Sequence, residues 1–185
     1  MGFSLVELMI GVSIMGLLIM LALPNYNVWI ANSRVRTATT SILNGLQLAR
    51  IEAIRRNMPV FFQLTSASSL SDWTVGCVTV LTAPPIDCPA VIQTYASVEG
   101  TQNATVSITD TASNVGTTNI VTFNSFGRPV SPDPTGSLPL AQVDATSTVL
   151  TAPDVRPLRI TVSSGGQVRM CDPALPSPPT NASGC

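Results

Sequence analysis

Hydrophobic and polar positions change their rhythm twice along the chain. From Leu8 to Ser33 there are 26 consecutive residues without a charge, and Leu8 to Leu23 is rich in Leu, Ile, Met and Val. Such a run spans a bilayer as a helix. A buried soluble helix would need a large domain around it, and the remaining chain is short and polar. After Pro24 the pattern turns amphipathic: Val35, Ala38, Ile42, Leu46, Ala49 and Ala53 recur at three- and four-residue intervals and draw one apolar stripe. Asn57-Met58-Pro59 closes this segment, because the residue before proline is pushed out of the helical region. Residues 3 to about 57 therefore predict one long helix, softened at Gly16 and kinked at Pro24.

Beyond Pro59 the period falls to two. Strands are predicted over Val60–Leu64, Trp73–Leu81, Val91–Ala96, Thr105–Thr109, Ile120–Phe123, Leu158–Val162 and Gln167–Cys171, separated by Ser, Thr, Pro and Gly. Ser131 to Pro153 reads as an irregular loop. In the last hairpin, a three-residue loop at Ser164-Gly165-Gly166 sets Val162 against Val168 and Ile160 against Met170, whereas a two-residue loop would oppose Ile160 and Arg169. The longer loop keeps the apolar pairs together and gathers Arg159, Thr161 and Arg169 on the other face. The expected fold is α+β, a long N-terminal helix packed on an antiparallel sheet body. Its parts are a residual leader (1–2), a transmembrane or filament-core helix (3–24), an amphipathic helix (25–58) and a β-rich body (59–185).

Composition narrows the chemistry. Only 10% of the 185 residues are charged, 45% are apolar, and neither Lys nor His occurs. General bases of imidazole type, Schiff-base lysines, Walker lysines and His-containing zinc sites are thereby excluded. No enzyme activity, metal or cofactor is expected. Charge is segregated: Asn25 to Met58 carries five Arg and one Glu, Pro59 to Cys185 carries four Arg and eight acids, and Glu7 stands apart. An acidic body on a basic stem is not a general nucleic-acid binder. Cys77, Cys88, Cys171 and Cys185 allow three pairings. Cys77–Cys88 and Cys171–Cys185 are preferred, closing a Pro-containing loop and tying down a Pro-rich tail, and both imply an oxidising compartment such as the periplasm.

The N-terminal run Gly2-Phe3-Ser4-Leu5-Val6-Glu7-Leu8 resembles the processing motif of type IV pilins and type II secretion pseudopilins. The resemblance implies that a prepilin peptidase cuts after Gly2 and methylates Phe3. It also implies that Glu7 pairs with a neighbouring subunit's N-terminal ammonium during assembly. Gly16 and Pro24 fall where the family often has helix breakers. Only Met1 precedes Gly2, where such leaders usually carry basic residues.

The stretch from Leu46 to Val60, Asp72-Trp73-Thr74-Val75-Gly76, Phe123-Asn124-Ser125-Phe126-Gly127-Arg128 and the final hairpin resemble, in order, the GspH/FimT group of minor pilins and pseudopilins. That resemblance implies a structural subunit in the bacterial inner membrane with a periplasmic body, which then joins a pilus tip complex. Its implied partners are major and minor pilins, the prepilin peptidase and the inner-membrane assembly platform. The alternatives are a type II secretion pseudopilin and a DNA-binding minor pilin of natural transformation. The latter would use Arg159 and Arg169, although Gln167 stands where the group's DNA-uptake members have their first arginine.

Overall fold

A computed structural model describes residues 4–65, 71–81, 87–115, 118–132, 136–178 and 180–185, with the side chains of residues 21–25 left aside. Its first element, α1, runs from Leu5 to Arg56. The backbone stays helical across Gly16 and Pro24. At its other end Asn57 adopts a left-handed conformation (φ 52°), its N–H bonds to the Ile54 carbonyl, and Met58 N–H bonds to that of Ala53. This paired closure satisfies carbonyls that the helix leaves open, and Pro59 then releases the chain as a strand.

Eight strands follow: β1 (Val60–Leu64), β2 (Trp73–Cys77), β3 (Gln93–Tyr95), β4 (Ala104–Asp110), β5 (Ile120–Phe123), β6 (Leu140–Ser147), β7 (Leu158–Val162) and β8 (Val168–Cys171). They form two antiparallel four-stranded sheets, ordered β3-β2-β1-β5 and β4-β6-β7-β8. The carboxyl-terminal half of α1 lies against both. Val35, Ala38, Ile42, Leu46, Ala49 and Ala53, the whole predicted stripe, are fully buried. Ile42, Leu46, Ala49 and Ala53 share one core cluster with Phe62, Trp73, Val75 and Phe123 from the first sheet and Val143 and Ile160 from the second. Gly45 faces the first sheet, where a Cβ would lie 2.8 Å from Phe62 Cε2 and 3.0 Å from the Trp73 ring.

The segment from Ser131 to Pro153 corrects the sequence expectation, because it contains β6, paired with β4 on one side and β7 on the other. A register shift between Thr109 and Asp110 leaves Ala141 without a facing residue. This irregularity puts Leu140 out of phase with Val143, Ala145 and Ser147, so a strict two-residue period fails at the strand's start. The inward residues Ala145 and Ser147 are also small. Three other strands are shorter than expected: β2 stops at Cys77, with Leu81 reduced to a bridge to Cys88, β3 covers only three residues, and β8 starts one residue later, at Val168.

The final hairpin has the three-residue loop, with Val162 facing Val168 and Ile160 facing Met170. Gly166 turns the chain at φ 81°. Its missing side chain is required twice over, since a Cβ there would come within 1.8 Å of the Gly127 carbonyl oxygen. That carbonyl belongs to the turn after β5, where Asn124 Oδ1 accepts from Phe126 and Arg128 N–H and Arg50 Nε donates to Gly127 O at 3.1 Å. The helix, the first sheet and the hairpin of the second sheet meet at this one turn.

Candidate functional site: the exposed half of the helix and the charged positions of the body

The two halves of α1 have opposite surroundings. Every described side chain from Leu5 to Met20 is exposed, and the large apolar ones are 51% to 78% accessible. An apolar surface of this extent, wrapping a whole helix, requires a lipid or protein environment. Its hydroxyl is already satisfied within the helix: Ser13 Oγ donates to the Met9 carbonyl at 2.8 Å. Glu7 lies in the first turn, where a negative charge meets the helix's free N–H groups. Gly11 and Gly16 open onto empty space.

Gly2 and Phe3 lie outside the described residues, as does the ring of Pro24. Lacking an N–H, Pro24 removes the rung to the Met20 carbonyl, which weakens α1 where the apolar run ends. Among the described residues no helix is long and apolar enough to cross a membrane. The described apolar side chains stop at Met20, and the sequence run continues through Leu21, Ala22 and Leu23.

At the other end of α1, Glu52 is the single acid in the basic segment and is only 8% accessible. Its Oε2 accepts from Arg55 Nη2 and from Arg56 Nε, both at 2.7 Å. Burial alone would push this carboxyl up, but the bonds and charges of the two arginines outweigh it and hold the group below the usual value of 4.5. Arg55 is raised in turn, chiefly by its hydrogen bond to Glu52.

The two arginines gathered by the final hairpin do share a face, yet each is engaged inside the protein. Arg159 Nε donates to Asp144 Oδ1 at 2.6 Å and Nη2 to Oδ2 at 3.3 Å, while Gln142 Nε2 also donates to Oδ2. Asp144 comes from β6, the strand that the sequence pattern hides, so this counter-ion was not anticipated. Arg169 Nη2 donates to the carbonyls of Ala182 and Gly184. It thereby clamps the tail that the Cys171–Cys185 disulfide also ties down; the second disulfide joins Cys77 to Cys88. Both bonds follow the preferred pairing. Among the described residues no group of His, Cys, Asp or Glu side chains is arranged to hold a metal.

No curated protein sequence matches the chain. Two crystal forms of the type IV minor pilin FimU of Pseudomonas aeruginosa PAO1 are similar to it in structure. One has 16% identity over 75% of this chain and 88% of that one, and the other 14% over 73% and 90%, each with a TM-score of 0.47. In sequence, residues 38–166 match the family described as Type II transport protein GspH. The match takes in α1 from Ala38, strands β1 to β7 and the final loop to Gly166, and by it this chain belongs to the GspH family of minor pilins and pseudopilins.

Proposed function

We propose that the chain is a minor type IV pilin that waits in the inner membrane through residues 3–24, with its body in the periplasm, and then joins a tip complex that primes filament assembly. The observation that carries this reading is the division of α1, exposed and apolar on all sides from Leu5 to Met20 and buried along one stripe from Ala31 to Ala53. The first half has surface that only lipid or other subunits' helices can cover, and the second half fixes the body to it. A prepilin peptidase cutting after Gly2 and methylating Phe3 prepares the new N-terminus. Glu7 then neutralises a neighbouring subunit's ammonium, an attraction strengthened in low dielectric, and sets subunit register. The role is structural and needs no catalysis. The partners are major and minor pilins and the inner-membrane assembly platform.

The test is Glu7→Ala in the full chain, followed by membrane fractionation and by immunodetection in sheared filaments. The variant is expected to remain in the membrane fraction and to drop at least about tenfold in filaments, in keeping with the loss of more than 1.4 kcal/mol of pairing. Undiminished incorporation overturns the role given to Glu7. The family's description favours a second reading, a type II secretion pseudopilin, and the same assay run on a secretion pseudopilus separates the two. DNA binding gains no support, because Arg159 and Arg169 are both engaged internally on a body of net negative charge.

A further inference from the structure

Just beyond the apolar run, Tyr26 and Trp29 stack at 6.0 Å between ring centroids and are 55% and 65% accessible. One helical turn on, Asn32 holds a distant loop against α1: its Nδ2 donates to the Asp154 carbonyl at 2.9 Å and its Oδ1 accepts from Arg156 N–H at 2.9 Å. The loop and α1 enclose an open cleft of about 770 Å³ whose lining includes Trp29, Arg36, Asp154, Arg156 and Asp172. The cleft thus has two guanidiniums and two carboxylates on its walls. The side chains of Arg36, Arg156 and Asp154 make no hydrogen bond or ion pair among the described residues, and Asp172 uses one oxygen to accept from Ala174 N–H.

We propose that this cleft is a docking site for a zwitterionic phospholipid headgroup, its phosphate meeting Arg36 and Arg156 and its primary ammonium meeting Asp154 and Asp172. The inference rests on the membrane-inserted state proposed above. Three observations select a lipid. On α1 the cleft begins at Val28, five residues past the end of the apolar run at Leu23. An exposed aromatic pair followed by arginines is the composition that settles at the level of headgroups. Arg36 lines the cleft from α1, and helical side chains lean in general toward the helix N-terminus, the end that carries the apolar run. At 1.5 Å per residue, a hydrocarbon core of about 30 Å beginning at Leu8 ends near Asn27, which puts Trp29 about 3 Å and Ser33 about 9 Å beyond it. Walls of both signs fit a phosphate carrying its own ammonium better than a purely anionic head.

The experiment uses the full chain in vesicles of phosphatidylethanolamine with phosphatidylglycerol, and in vesicles of phosphatidylglycerol alone. Flotation reports insertion, and amide hydrogen exchange over residues 154–158 reports occupancy of the cleft. With phosphatidylethanolamine present, exchange there is expected to slow at least about fivefold relative to phosphatidylglycerol alone, a change of roughly 1 kcal/mol in local opening. Arg36→Gln/Arg156→Gln and Asp154→Asn should each abolish the difference without changing flotation. A chain that floats but shows equal exchange in both vesicles, or in wild type and variants, overturns the docking site and leaves the membrane reading standing. Protection that rises with protein-to-lipid ratio instead of lipid type identifies a second subunit as the occupant and also overturns it. A chain that fails to float overturns the membrane reading and this inference together.

Discussion

At the scale of single residues, the two neighbouring glycines of the final loop do unequal work. Gly166 holds φ 81° with no room for a methyl group beside the Gly127 carbonyl, whereas a Cβ on Gly165 would meet only Ser163 Oγ at an ordinary 3.8 Å. Gly166→Ala should cost at least about 2 kcal/mol, from a strained backbone and a forced shift of the turn after β5. Gly165→Ala should stay within about 0.5 kcal/mol of wild type, both read from denaturant midpoints. Glu52 gives a test in pH. Its carboxyl is lowered in the folded state, so its stabilising contribution is complete above about 4.5 and is lost as pH falls through the lower folded value. The stability difference between wild type and Glu52→Gln, measured by thermal unfolding, should therefore be constant near neutrality and shrink as pH drops below 4.5.

The elements differ in how openly the sequence announces them. The stripe from Val35 to Ala53 could be read position by position, because a helix packed on one side keeps its period whatever it packs against. The same holds for β7, where Leu158, Ile160 and Val162 alternate with polar residues, and β1 buries every second residue, Val60, Phe62 and Leu64; β5 is legible instead as a short apolar run, with Val121, Thr122 and Phe123 all buried. The hairpin register was legible because one choice paired two apolar couples and the other broke them. In β6 the irregularity at Ala141 interrupts the alternation, and its small inward residues carry little hydrophobic signal. With β6 unseen, Asp144 was unseen too, and so Arg159 looked available to a phosphate. A double-mutant cycle on Asp144→Ala and Arg159→Ala should return a coupling of about 1 kcal/mol in urea unfolding, the upper end for a pair that solvent still reaches. Asp144→Ala should also leave duplex DNA binding by the full chain negligible at physiological salt; a salt-sensitive rise would show that Arg159 is a phosphate contact held in reserve.

Across the whole molecule, one helix serves two environments, and the sequence marks the change at Pro24 by composition alone. What composition could not convey is how both sheets converge on the buried half. The turn at Asn124–Arg128 receives Arg50 from the helix and Gly166 from the final loop of the second sheet, 77 and 39 residues from Gly127, a meeting that no local period encodes. The stripe from Ala31 to Ala53 has a mechanical consequence. A subunit drawn along its helix axis loads this whole interface sideways, so its buried contacts share the force instead of parting one after another. The body is then a head that cannot be peeled from its shaft, and a pull on the helix reaches both sheets at once.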